Sequence, residues 1–345
     1  MCPAPRPRLR PTVEQLEARL VPYSASGNAW PNPQLVTISF VPDGTVLGTN
    51  NGAPVYSNLF AKLNAHGGWT TATWEDQILK AAQTWAQLAN INFDVVSDSG
   101  ASTGAGNYQQ GDPQFGDIRI GGFNFGNSNL AMAFLPPSVN NYSLAGDINF
   151  NTGSTWNVSS TYDLYTVAVH EIGHALGLDH STAGSAEMYP TYNGLKGGLT
   201  GDDINGIQAT YGARKPDAFD AAAPNNGFST ATDLSNQVGP SALTWVNNNL
   251  DITTTSDLDY YQVTAPYGGS GTFTLTVQSQ GLSLLRPAVT LYAGDQSTVL
   301  GSAASAGAYD GTALKLSVSG VTPGQVFYIK VDGRTTRPSA RAATP

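Results

Sequence analysis

Three histidines and a glutamate fall within eleven residues, HEIGHALGLDH over 170–180. Imidazole is a borderline ligand that suits zinc, and spacing decides whether several rings can share one ion. His170 and His174 are four apart, so a helix stacks them on one face, one turn above the other. Glu171 lies beside that face, able to take a proton from a water without itself ligating. Gly177 can adopt positive φ where the helix must end and the chain turn sharply, bringing His180 back as a third ligand. Three nitrogen donors leave a fourth position open, the arrangement of a catalytic zinc site rather than a structural one. Three of the four histidines of the chain lie in this run; His66, alone in a Gly-rich stretch, reads as an ordinary loop residue.

The elements that must position these groups are legible as patterns. Val36, Ile38 and Phe40 alternate in a strand over Leu35–Val41, closed by the Pro42-Asp43-Gly44 turn. Trp74, Ile78, Ala81, Ala82, Trp85, Leu88 and Ala89 recur at three- and four-residue spacing, predicting a helix over 74–90. Further strands are expected at Ile91–Val95, around Ile118 and Ile120, near Leu130–Leu135 and near Asp147–Phe150, with residues 98–116 a loop. The histidine helix is predicted from Tyr162 to Leu176, capped by Ser159, Ser160 or Thr161 and favoured by Asp163 at its positive end. A last helix begins at Thr200, where Thr200 and Asp203 have capping-box spacing, and Gly212 stops it.

Eight residues beyond His180 comes Met188, in the run AEMYPTY. With the extended H-E-x-x-H-x-x-G-x-x-H pattern this resembles the metzincins, and within them the matrixins. LVTISFVPDG, INFDVV, GDIRIGG, LAMAFLPP, GDINFN and LTGDDINGIQATYG look like matrixin segments in family order, so the resemblance covers about residues 30–213. It implies a zinc endopeptidase with His170, His174 and His180 as ligands, Glu171 as general base acting on a zinc-activated water, and Met188 in the methionine turn beneath the metal. It further implies that Pro190–Tyr192 wall the S1′ pocket, that Thr166 sets its floor for a medium to deep apolar P1′ residue, and that the strand carrying Ala131 pairs with an extended substrate. Departures trim the picture. Met132 and Asn149 stand where histidines hold a second, structural zinc in animal members, so one zinc is expected. Asn151 replaces an acidic calcium ligand, which leaves calcium open, through Asp147, Asp112 or backbone carbonyls. The cysteine-based latency motif is missing, and Cys2 is not expected to block the metal.

Beyond residue 213 the pattern changes. ARKPDAFDAAAP over 213–224 reads as a linker. Thereafter short alternating runs, such as Phe273-Leu275-Val277 and Phe327-Ile329-Val331, predict an antiparallel β-sandwich. NNGFSTATDL, SDLDYYQV and PGQVFYIKV resemble the bacterial pre-peptidase C-terminal family. Such modules accompany secreted peptidases, and the resemblance implies contact with a substrate, a cell surface or a polymer. Of Tyr260 and Tyr261 one is expected in the core, and Asp257 and Asp259 are expected in a turn rather than on calcium.

Charge narrows the partners. The N-terminal and C-terminal tails carry most of the arginine, leaving 9 basic against 23 acidic residues between them. A body near −14 repels nucleic acid and anionic membrane. The single cysteine excludes an internal disulfide, and no 18-residue apolar run predicts a membrane span. Six lysines in 345 residues, with abundant Asn, Gly, Ser and Thr, point to life outside the cytosol. The segment TVEQLEARLVP resembles a short Leu-Glu-x-Arg tag of exported bacterial proteins; a disordered arm reads equally well.

The expected class is therefore α+β (mixed α/β), a metzincin catalytic domain with a twisted five-stranded sheet and three helices, followed by an all-β sandwich domain. The expected boundaries are an arm or export tag at 1–29, the peptidase at 30–213, a linker at 214–224, the sandwich at 225–333 and a disordered tail at 334–345. The function expected is a secreted or cell-surface bacterial zinc endopeptidase, monomeric, acting on polypeptides, with no nucleic-acid partner. The rival is an adhesion or binding protein carrying a vestigial peptidase domain.

Overall fold

The computed structural model describes residues 25–333 except 51, 105–109, 141, 222, 240–242, 249, 254–255, 269–270 and 306–312. The Leu-Glu-x-Arg segment, Cys2 and the tail from 334 lie outside the described residues.

Five strands build the sheet behind the histidine helix. β1 (Val36–Phe40) pairs in parallel with β4 (Phe93–Val95) on one side and β5 (Ile118–Phe123) on the other. β5 pairs in parallel with β7 (Ile148–Asn151), and β6 (Ala131–Ala133) closes the order β4-β1-β5-β7-β6 as an antiparallel edge. Every residue of β7 is buried, so this strand has no solvent face and its sequence does not alternate. A hairpin of β2 (Val46–Asn50) and β3 (Ala53–Tyr56) precedes α1 (Leu59–Asn64).

Helices α2 (Thr71–Ala86) and α3 (Leu164–Ala175) pack on each other, and α4 (Gly201–Tyr211) comes after them in the chain. Trp74, Trp85, Phe93 and Phe150 anchor the core between helices and sheet, each worth about 2–3 kcal/mol of burial. The two indoles are also satisfied: Trp74 Nε1 donates to Asn64 Oδ1 and Trp85 Nε1 to the Val169 carbonyl, both at 2.9 Å.

Two expectations need correction. The described residues hold four α-helices, not three; the six-residue α1 escapes a reading by periodicity because it is short and its N-cap, Asn58, makes no side-chain cap bond. The cap of the histidine helix is Asp163 itself, whose Oδ2 accepts from Thr166 N at 2.8 Å. Ser159 and Tyr162 lie at positive φ (58° and 55°), so the helix cannot start at Tyr162 and begins at Leu164. The Thr200–Asp203 capping box and the positive φ of Gly212 (79°) match the expectation for α4.

Past α4 the described structure is strand and loop, with one 3₁₀ turn at Phe228–Thr230. β8 (Thr232–Asp233), β9 (Leu258–Thr264), β11 (Pro287–Ala293), β12 (Val299–Ala304) and β14 (Val326–Gly333) form one sheet in the order β12-β11-β14-β9-β8. β10 (Gly271–Gln278) and β13 (Ala313–Val321) pair separately. A second apolar cluster lies here, around Tyr261, Val263, Val289, Leu291, Phe327 and Ile329. Tyr261 is buried and Tyr260 half-buried, as their opposite faces require. Leu284 crosses to the first core, and the Arg214 guanidinium bonds the Ala86 and Ile91 carbonyls as well as Asp251.

Candidate metal centre

The first two imidazoles project from α3 one turn apart, as the four-residue spacing demands. Their Nδ1 atoms are anchored to backbone carbonyls, His170 to Glu187 O at 2.7 Å and His174 to Leu178 O at 2.8 Å. A carbonyl only accepts, so each Nδ1 carries the proton and each Nε2 presents a lone pair. His174 Nε2 stands 3.1 Å from His170 Nε2 and 3.2 Å from His180 Nε2. Lone pairs at such distances repel unless a cation lies among them. Tetrahedral zinc with bonds of ~2.0–2.1 Å sets its nitrogens ~3.3–3.4 Å apart, so the triad fits zinc. Burial, then the neighbouring His174, lowers the His170 pKa to about 4; burial also lowers that of His174. Both rings are thus neutral ligands at physiological pH.

The turn that returns His180 depends on Gly177. Its φ is +96°, and a Cβ there would collide with the Asn28 carbonyl. The segment at 25–30 straps this turn down. Ser26 N and Oγ donate to Gly177 O at 2.9 and 2.7 Å, and Trp30 Nε1 donates to Ala175 O at 2.9 Å. Tyr211 Oη from α4 donates to Leu176 O at 2.9 Å. These partners satisfy the last carbonyls of α3. Sequence reasoning does not single out Ser26, Asn28 and Trp30, whose role is long-range and leaves no local signal.

Glu171 is buried beside the rings, and burial raises its carboxyl to about 8. A cation among the imidazoles acts the opposite way and favours the carboxylate.

Met188 lies under the helix. It is buried, and a Cβ on Gly173 would overlap its Sδ while standing 3.0 Å from Trp85 Cζ2. Gly173 is therefore required for α3 to settle on the methionine. Asp203 holds this turn in place, with Oδ1 accepting from Met188 N (3.1 Å) and Oδ2 from Glu187 N (3.0 Å). The capping box of α4 thus supports the very residue whose carbonyl orients His170, a coupling the sequence does not reveal.

The remaining expected site residues are dispersed around this centre. Ala131 is half-buried on β6, which ends the sheet order and packs beside α3. Thr166 is buried one turn before His170, and its hydroxyl donates to Asp163 Oδ2 at 2.8 Å. Pro190 is exposed and Tyr192 half-buried; Tyr192 Oη accepts from Asp163 N at 3.2 Å, linking the turn after Met188 to the start of α3.

Met132 and Asn149 face each other across the β6–β7 pair. Asn151 closes the shortened loop before β6: its Nδ2 donates to Asn127 O and Asn129 O, and its Oδ1 accepts from Phe125 N and Gly153 N. Asp147 is buried near the Asp98–Arg119 ion pair, and Asp112 Oδ1 accepts from Gln114 N. His66 packs its ring against Trp69 at 4.4 Å.

Residues 60–212 match the matrixin family. The chain is 33% identical over 199 residues to karilysin of Tannerella forsythia, covering 55% of this chain and 39% of that protein. It is 40% identical over 139 residues to human matrix metalloproteinase-20 (39% of this chain, 27% of the other). It is 39% identical over 146 residues to the interstitial collagenase of Equus caballus (40% and 28%). The chain thus spans well under half the length of these relatives. Matrixins use a catalytic zinc, and the three converging imidazoles within the matched residues fit it. Among the described residues no helix is long and apolar enough to cross a membrane.

Proposed function

We propose that this chain is a secreted, zinc-dependent endopeptidase. The observation that carries the reading is the convergence of three Nε2 lone pairs, two of them oriented by carbonyls, beside a buried glutamate within a matrixin match.

His170, His174 and His180 would hold zinc, which when bound polarises a scissile carbonyl and acidifies a water. Glu171 accepts the proton of the attacking water and returns it to the leaving amine. Its burial keeps bulk solvent from competing for that proton. The edge of β6 at Ala131 offers unpaired backbone groups to an extended peptide, which the strand orients across the histidines. Thr166, Pro190 and Tyr192 shape the pocket for the residue after the cleaved bond, and the Met188 turn supports the ligands from below. Residues 225–333 form a β-sandwich that contacts substrate, cell surface or polymer, and the enzyme acts as a monomer outside the cytosol.

Zinc-loaded protein is expected to digest casein, to stop in a chelator and to recover on adding zinc, with cleavage sites read by mass spectrometry. No cleavage of any unfolded protein by zinc-loaded enzyme would turn the reading towards a binding protein.

A further inference from the structure

A second convergence of oxygen ligands lies far along the chain from the histidines, where the segment after α4 meets the start of β9. Carboxylate oxygens of Asp220, Asp257 and Asp259 all lie within 4.8 Å of one another. That span equals about two calcium–oxygen bonds of ~2.4 Å, the greatest separation two ligands of one calcium can have. Asp257 and Asp259 are 8% and 2% exposed, and Asp217 and Asn225 beside them 8% and 1%. The nearby guanidinium of Arg214 is engaged by Asp251 and three backbone or amide oxygens.

Turn chemistry accounts for only part of this cluster. Asp217 Oδ1 accepts from Phe219 N, as turn aspartates do, and its Oδ2 accepts from the distant Asp251 N. Asp257 Oδ2 accepts from Thr253 N at 2.7 Å, and Asp220 Oδ1 from Asn225 N at 2.9 Å. Asp259 differs. Its Oδ2 accepts from the Tyr261 hydroxyl at 2.9 Å, while its Oδ1 is buried without a donor. Asn225 Oδ1 is likewise buried without a donor, on a side chain whose amide reaches the same Tyr261 hydroxyl. Two enclosed oxygens without a protein donor, next to a knot of carboxylates, can be satisfied together by a shared cation. Oxygen-only donors with several carboxylates select a hard divalent ion of flexible geometry.

We propose that Asp220, Asp257 and Asp259, with the Asn225 carboxamide oxygen, form a calcium site that ties residues 217–225 to the start of β9. The ligands come from both ends of a stretch of about forty residues, so binding closes that loop and fixes the entry to the second core. Since Arg214 joins Asp251 to the end of α2, the same clasp sets how the matrixin-matched residues are tethered to the strands of that core.

The test is calcium chloride titrated calorimetrically into the full chain, stripped of metal and reloaded with one zinc, alongside thermal unfolding. Wild type is expected to bind calcium with a dissociation constant at or below about 1 mM and to gain about 5–10 °C in its C-terminal transition at saturation. Asp259→Asn and Asp220→Asn are each expected to weaken binding at least tenfold and remove the gain, leaving casein hydrolysis in saturating zinc unchanged. Asp220 is only half-buried, so its variant tests the site even if Asp259→Asn misfolds. No saturable binding to wild type, or binding and a thermal gain that persist in a folded variant, would overturn the proposal.

Discussion

Gly173 is the most informative position at which to perturb the histidine site without touching a ligand. Replacing it with alanine adds one methyl group on the face of α3 that rests on Met188. That Cβ would overlap Met188 Sδ and stand 3.0 Å from Trp85 Cζ2, against ~3.5–4.0 Å for a relaxed contact. Trp85 is fixed by its bond to Val169 O and Met188 by two backbone bonds, so neither yields freely. Overpacking of this kind costs about 1–3 kcal/mol, while alanine in a helix regains about 0.5–1 over glycine. The net expectation is a loss of about 1–2 kcal/mol. In a Met188→Ala background the overlap with sulfur is gone and only the tight Trp85 contact remains, so the same substitution should be nearly neutral, a coupling of about 1–2 kcal/mol. Urea unfolding followed by tryptophan fluorescence suits the measurement, because five of the six tryptophans precede residue 200. Displacing Met188 also moves the Glu187 carbonyl that orients His170, so zinc affinity should fall about 10–100-fold in the single variant. A Gly173→Ala protein more stable than wild type with Met188 present would refute the packing described here.

Other perturbations probe the supports of the site. Asp203→Ala leaves Glu187 N and Met188 N buried without acceptors, and should cost at least about 3 kcal/mol in chemical unfolding and weaken zinc in a chelator competition. Asp147 is held well above the usual carboxylate range, first by burial and against the pull of Arg119. The folded state therefore keeps a proton that the unfolded chain releases near pH 4, and stability should fall as pH rises from there through the folded-state value. Asp147→Asn should flatten that fall in a pH series of thermal midpoints. Tyr192→Phe loses the hydroxyl that accepts from Asp163 N, and should raise KM about two- to tenfold for a mapped peptide with little change in kcat.

Much of the centre is legible in the sequence because its logic is local. Two histidines four apart on a helix, a glycine at the required positive φ and a methionine eight residues on are all set by short-range geometry. The capping box at Thr200–Asp203 is readable for the same reason, though not its second task beneath Met188. Long-range partners leave no trace. Trp30 and Tyr211 cap the end of α3 from 145 and 35 residues away, and Ser26 meets Gly177 across 151. The β2–β3 hairpin escapes notice because Gly48 and Gly52, both at positive φ, break the two-residue alternation that marks a strand. The loop read over 98–116 gives no hint that its first residue, Asp98, forms a buried ion pair with Arg119. The aspartates read as turn formers in the linker and at the start of β9 converge only through the fold.

Glu171 is where the functional assignment is most exposed to test. Glu171→Gln keeps the shape of the side chain and removes its basicity, while the three imidazoles and their carbonyl anchors are untouched. Zinc content by mass spectrometry and casein hydrolysis should be measured on the same preparations of variant and wild type. One zinc per chain in both, with hydrolysis by the variant down at least about 10²-fold, is the predicted result. Wild-type rates in a zinc-loaded Glu171→Gln protein would contradict it.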